Sequence, residues 1–421
     1  MSAIELNNLK YDFTAKSKRN LFILMGLGVI LLILGVVMNM GHEHAAVDAH
    51  GGDDPRAHLG QRVWANLLVN GFFFGAIALA ATFFYALQYA AQVAWSVVFQ
   101  RIFSAVSTFL PVGLIIILVV LAVGRFGGHH IYHWMDQSVY DISSEHYDSI
   151  LAHKHAYFAD AFFWARIILF IGGWIMYQRW ARKRTLEEDL VGGDSIFKKN
   201  ITKAAIFLVF FGFTSSVFSW DVIMSIDAHW YSTLFGWYVF AGMWIGAIIT
   251  FIMILLHLKN RGQMEFVNAS HTHDLGKWMF AISFLWTYLW FSQFMLIWYS
   301  DIPEEVVYFQ QRWEYFNGLF WVTMFVNFAF PMIMLMSRDA KRNKHYLLFV
   351  GTLIFIFHWC DTFMLIMPGS VGEHWGIGSL EIGMFLFFLG GFIFWIMNAL
   401  SKAPLVAKNH PYLEEGLGHN I

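Results

Sequence analysis

The sequence predicts an all-α, polytopic membrane protein with ten transmembrane helices, on three observations. The 421 residues are 58% hydrophobic and 19% aromatic but only 13% charged, with a mean hydropathy of +0.54. A soluble domain carries about 25% charged residues. The apolar residues are gathered into runs of the length a membrane requires, since about 20 residues of helix satisfy every backbone group across a hydrocarbon core about 30 Å thick. Lysine and arginine, finally, alternate in phase with those runs.

Ten runs are long enough: 20–41, 63–91, 98–124, 159–181, 201–224, 232–257, 277–299, 313–336, 346–367 and 378–400. A polar stretch of 19 residues leads into the first run, which ends without a small-residue cleavage site and so reads as an uncleaved anchor. Only the weakly polar Gln92 to Arg101 separates the second run from the third, which contains Pro111. The fourth opens with Asp160 and Arg166. The fifth closes on Asp221, and a short turn with Asp227 and His229 leads into the sixth. The eighth carries Pro331 and the ninth His358 and Asp361. No Gly- or Pro-broken pair of helices recurs in corresponding halves, the pattern that would mark a secondary transporter.

If the N-terminus is cytoplasmic, that side receives Lys10, Lys16, Lys18, Arg19, Arg101, the cluster from Arg179 to Lys203, Lys259, Arg261, Lys277, the cluster from Arg338 to Lys344, Lys402 and Lys408. The other side receives Arg56, Arg62, Arg125, Lys154 and Arg312. Both termini are therefore expected in the cytoplasm. Histidine and acid gather on the opposite face, in His42 to His58 and in the segment Gly127 to Tyr157. The irregular spacing of these histidines suits solvation or subunit packing better than a metal site.

One cysteine, Cys360, excludes an internal disulfide, a CxxCH haem attachment site and an iron–sulfur cluster held by this chain alone. Haem b would need two facing histidines, and His257 and His358 lie at different depths. Gly192-Gly193 has no P-loop context. No metal and no nucleic-acid partner are expected.

The functional candidates are ionisable groups at membrane depth, which are costly and normally face a protein interior or a wet cavity. Asp221 sits near the external end of the fifth span, beside Asp227 and His229. Arg166 lies about 9 Å deeper than Asp160 by helical rise, and a buried arginine needs a partner, which Asp221 or Asp160 could supply. His358 and Asp361 share a face through their i, i+3 spacing. Each group has a purely structural reading as well, a cap or an interhelical polar contact.

The run WDVIMSIDAHWYSTLFGWYVFAG from Trp220 to Gly242, with HDLGKWMFAISFLWTYLWFSQFMLIWYSDIPEE from His273 to Glu305, resembles the polysulfide-reductase-C (NrfD-like) membrane subunits, in particular the ActF-type subunits of bacterial alternative complex III, a quinol:electron-acceptor oxidoreductase. The resemblance extends over essentially the whole chain. It implies a bacterial inner-membrane subunit built as one membrane domain, residues 1–421. Helices two to five (63–224) and six to nine (232–367) would form two four-helix bundles, flanked by helices one and ten. It implies partners too: multihaem and monohaem c-type cytochromes, an iron–sulfur subunit, a second polysulfide-reductase-C-like subunit, lipid, and a terminal cytochrome oxidase in a supercomplex. Haem c and iron–sulfur clusters would then sit in the partners, with menaquinone or another quinone as the mobile carrier.

Two mechanisms follow for the chain itself. In the first, quinol binds in the outer half, with Asp221, or Asp227 and His229, as proton acceptors and Asn70, Arg166 and Trp220 lining the site. In the second, no quinone exchanges, and Asp160, Arg166, Asp221, His358 and Asp361 form a proton path or fixed polar packing. The first requires a cavity open to lipid, the second a closed bundle with a polar row. A stand-alone secondary transporter is the alternative from another class.

Overall fold

A computed structural model describes residues 9–47 and 55–420. Ten helical segments are long and apolar enough to cross a membrane, so the chain is an all-α, multi-pass membrane protein. They are α1 (Ala15–Val47), α2 (Pro55–Ala90), α3 (Val97–Arg125), α4 (Asp160–Val191), α5 (Asp194–Val222), α6 (Phe235–Asn260), α7 (Ala269–Ser300), α8 (Pro303–Met334), α9 (Lys344–Val371) and α10 (Ser379–Ser401). Residues 48–54 of the first His-rich tract, His50 included, lie outside the described residues.

Packing is organised around α2. In its most apolar window 89% of residues are buried, against 11% in α1. Helices α2 to α5 touch in a ring, as do α6 to α9, and the rings meet where α2 packs on α6 and α9 and α5 packs on α6. The α1–α10 pair lies against α2. These two helices approach backbone to backbone: a Cβ on Gly383 would fall 2.4 Å from the Leu32 amide nitrogen, and one on Gly35 2.4 Å from that of Leu380. Small residues at such a crossing supply close van der Waals packing, the main source of helix association in lipid.

Several helices outrun their apolar cores. α4 continues to Val191 and α5 starts at Asp194, so most of the expected basic loop is helix, because helical backbone bonds need no apolar side chains once the chain leaves the bilayer. Gly192 and Gly193, with φ of +67° and +79°, make the intervening turn, a conformation that favours glycine. Likewise α8 begins at Pro303 rather than near 313, after Asp301 caps α7 in the left-handed region. Pro111 marks an irregular break within α3, and Pro331 follows a π-helical turn, Phe325–Ala329, in α8.

The ends of the bundle differ in chemistry. At the histidine-rich end the segment after α3 folds over the first ring, where Tyr132 donates to the Val222 carbonyl at 2.8 Å, and ends in the short helix Ser149–Phe158. At the lysine- and arginine-rich end the C-terminal tail runs back across both rings. The Lys408 amide donates to Asp189 of α4 at 3.0 Å, and His419 pairs with Asp274 of α7 at 2.6 Å. Between them His410 is buried against Tyr89, Phe197 and Tyr412.

Two outcomes follow from this packing. Gly383→Leu lowers the unfolding free energy of the purified protein by about 1–3 kcal/mol through overpacking, whereas Gly26→Leu, whose added Cβ meets nothing within 4 Å, leaves the melting temperature unchanged. Burial, with Arg101 nearby, pushes His410 down to about 4, below its unfolded value of about 6.5. The unfolded state therefore binds the proton first, and the tail loses stability as pH falls from about 6.5 toward 4. Limited proteolysis within 402–420 accelerates over that interval, and His410→Phe flattens the dependence.

Candidate functional site

Asp221, with no exposure, closes the last turn of α5, and Arg166, 8% exposed, faces it from α4. The contact is bidentate: Arg166 Nε donates to Oδ2 at 2.7 Å and a terminal guanidinium nitrogen to Oδ1 at 2.8 Å. Tyr157 of the Ser149–Phe158 helix donates its hydroxyl to the same Oδ1 at 2.8 Å. The guanidinium lies 4.0 Å from the Tyr157 ring centre and 4.6 Å from that of Phe162, placing a planar cation over aromatic faces. Burial pushes the Tyr157 hydroxyl up, and the Asp221 charge adds to this, so Tyr157 remains a donor near neutral pH.

Beside this triad lies a cavity of about 490 Å³, walled by Arg166, Tyr157, Phe213, Val217, Trp220 and Trp230, with Lys154 at its edge. Phe162 and Phe213, 54% and 71% exposed, stand on the outer surface of the bundle, so the cavity opens sideways where lipid would lie. The indole N–H groups of Trp220 and Trp230 are buried without a hydrogen-bond partner among the described residues. Each carries a desolvation cost of about 1–3 kcal/mol. Burial pushes Lys154 down, and its ammonium donates to the Ala228 carbonyl at 2.7 Å.

A second polar site occupies the other ring. Asp361 of α9 accepts from the Tyr238 hydroxyl of α6 and from Trp286 Nε1 of α7 at 3.3 Å. Arg312 of α8 pairs with Asp227 at 3.1 Å and stacks on Tyr308, 3.3 Å from its ring centre. Asp361, Arg312, Gln293 and Thr323 enclose a cavity of about 30 Å³, room for about two water molecules. Gln293 Oε1 and Thr323 Oγ1 are buried there without partners among the described residues. His358 packs edge-on against Trp286 at 5.2 Å, and neither of its ring nitrogens has a partner among the described residues.

Of the residues singled out from sequence, Arg166, Asp221 and Trp220 come together. Asp160 does not join them: it forms an exposed bidentate pair with Arg125 at 2.6–2.7 Å, because its position at the start of α4 faces the end of α3. Asp227 and His229, two residues apart, diverge. Asp227 binds Arg312, while exposed His229 pairs with Asp148, which caps the Ser149–Phe158 helix. Asn70 lies elsewhere, bonded to the Asn66 carbonyl at 2.9 Å and to Trp359 Nε1 at 3.0 Å. His358 and Asp361 share Trp286 as neighbour but stand in the second ring. The single row from Asp160 to Asp361 is thus two separate clusters and, apart from both, the exposed Asp160–Arg125 pair.

Sequence reasoning missed Tyr157, Tyr238, Trp286 and the pairing role of Arg312. It also missed two buried groups: Arg101–Asp189 at 2.5 Å beside Glu188 and Tyr89, and Arg62–Glu381 at 2.7 Å. Glu188 and Asp189 fall between the apolar runs 159–181 and 201–224, and tyrosine and tryptophan are too frequent in membrane helices to signal a site. Among the described residues no three His, Cys, Asp or Glu side chains gather closely enough to hold a metal ion.

Compared with known proteins, the chain matches no family model and no curated protein sequence.

The Arg166–Asp221 pair makes a test of its own. Asp221→Leu leaves a buried guanidinium unpaired and costs about 3–5 kcal/mol, whereas the double replacement Arg166→Leu/Asp221→Leu removes both charges and costs far less. Equilibrium unfolding of the purified variants measures the difference.

Proposed function

We propose that this chain is the membrane-embedded subunit of a bacterial respiratory quinol:electron-acceptor oxidoreductase, an ActF-like member of the polysulfide-reductase-C group, and that quinol binds beside Arg166 and Asp221. The observation that carries the reading is the laterally open cavity of about 490 Å³ whose apolar walls end at a buried Arg166–Asp221 pair capped by the Tyr157 hydroxyl. A quinol is an apolar amphiphile with hydrogen-bonding oxygens at opposite ring positions, and ligand pockets pair apolar walls with a few placed polar groups. Electrons would pass to an iron–sulfur or haem c centre of a partner subunit. The histidine-rich end would face the periplasm and both termini the cytoplasm, a reading that the distribution of lysine and arginine supports.

In this reading the quinol hydroxyl donates to the Tyr157 oxygen. As the quinol gives up two electrons, the proton of this hydroxyl moves to the Tyr157 oxygen while the Tyr157 proton moves to Asp221 Oδ1, and the proton of the opposite hydroxyl passes to water at the cavity mouth. Arg166 holds the carboxylate in place and loses none of its hydrogen bonds in the transfer. The indole N–H groups of Trp220 and Trp230 are donors that a quinone carbonyl would satisfy, which favours the oxidised product as well.

A second reading attaches to the Asp361 cluster. Its small enclosed cavity and unpaired polar atoms suit bound water, and water between Asp361, Gln293 and Arg312 would carry protons in the second ring without a quinone.

The test is quinol oxidation by the purified whole complex, with unchanged subunit composition verified for each variant. Tyr157→Phe and Asp221→Asn lower kcat by at least tenfold, in keeping with the 10²–10⁴-fold contribution of a positioned proton acceptor. Val217→Trp, which fills the cavity, raises KM. Asp361→Asn leaves quinol turnover intact and reduces only the protons translocated per quinol. Full turnover in Tyr157→Phe and Val217→Trp would refute the quinol site, and solute flux by the isolated chain in vesicles would favour a secondary transporter instead.

A further inference from the structure

A second cavity of about 490 Å³ opens at the opposite end of the molecule, bounded by α1, α6, α9 and α10. Its chemistry is graded along the bilayer normal. Ser17 and Asn20 from the first turns of α1 and His257 from the last turn of α6 stand at the lysine- and arginine-rich end. Phe385, about 24 Å from the end of α10 by helical rise, and Ile393 line the interior. Thr250 and Thr352 also face it, but each hydroxyl is bonded to its own helix, at 2.8 and 2.7 Å. The depth is thus apolar. Ile356, 39% exposed, borders the cavity on the outer surface, giving a sideways entrance from lipid.

Two cations mark the shallow end. Lys18 Nζ stands 5.2 Å from the ring centre of Phe13, and the Arg261 guanidinium 5.4 Å from that of Tyr11. Both rings wall the cavity. Both cations are exposed, and neither forms a salt bridge among the described residues. Lys10, Lys16 and Arg19 lie on the same stretch of chain, against one carboxylate, Asp12. An uncharged amphiphile such as a quinone gains no charge attraction from this arrangement, whereas an anionic headgroup at the interface gains from each basic residue near it.

We propose that this cleft is a binding site for an anionic phospholipid of the adjoining leaflet, with one acyl chain between α1, α6, α9 and α10 and the phosphate beside Lys18 and Arg261. The site stands independently of the quinol reading. The lipid fills the space between the peripheral α1–α10 pair and the second ring, where side chains alone leave a gap.

The experiment uses the purified complex in phosphatidylcholine vesicles containing a small fraction of phosphatidylglycerol with a photoreactive diazirine acyl chain. The same acyl chain on a phosphatidylcholine headgroup is the comparison, and cross-linked peptides are read by mass spectrometry. The peptides holding Thr352 and Ile393 label several-fold more with the glycerol headgroup. Lys18→Gln and Arg261→Gln each reduce that labelling about fivefold. Ile393→Trp, which occupies the cavity without touching a charge, abolishes it, while labelling of the exposed face of α1 stays constant as a measure of bulk lipid. Equal labelling by both headgroups, no labelling of these peptides, or displacement of the label by excess quinone would overturn the proposal.

Discussion

The buried bidentate contact between Arg166 and Asp221 is the constraint on which the histidine-rich end of the molecule depends. An arginine inside a bundle is tolerable only when its donors are met, and here a carboxylate, two aromatic faces and the Tyr157 carbonyl share that task. The pair ties α4 to α5 and, through Tyr157, ties the external segment down onto both. That anchoring sets the position of Trp220, Phe213 and Val217, and with them the lateral cavity.

Both rings of helices solve the same problem with different parts. In the first, an Arg–Asp pair is shared with a tyrosine from outside the membrane. In the second, Arg312 is satisfied by Asp227, by the Tyr308 ring and by the carbonyls of Tyr308 and Met364, leaving Asp361 to Tyr238 and Trp286. The consequence is a division of labour. One cluster borders a space wide enough for an organic ligand, the other a space suited to water alone.

Most of the fold was legible in the sequence because the bilayer imposes a length and an apolar content on every span. The ten runs needed only their edges moved: outward most at one end of α2, α4, α5, α7 and α8, where helix outlasts hydrophobicity. The site was less legible. Arg166 and Asp221 stood out because charge is rare at membrane depth, and each requires a partner. Asp160 was misleading, since spacing along one helix says nothing of the neighbour it meets, and that neighbour is Arg125 of α3. Asp227 and His229 lie in a turn, where successive side chains diverge without a regular period. Tyr157 was hidden for another reason: its value comes from a short external helix folding back over Asp221, a tertiary event with no local signature.

The most direct test of the quinol assignment is photolabelling of the intact complex with an azido-quinone, followed by identification of the modified residues. The account requires label on the cavity wall around Phe213 to Trp220 and near Tyr157, lost when unlabelled quinone is in excess. Label confined to a partner subunit, or to the Asp361 region, would contradict it and leave the Arg166–Asp221 cluster a structural tie between helices.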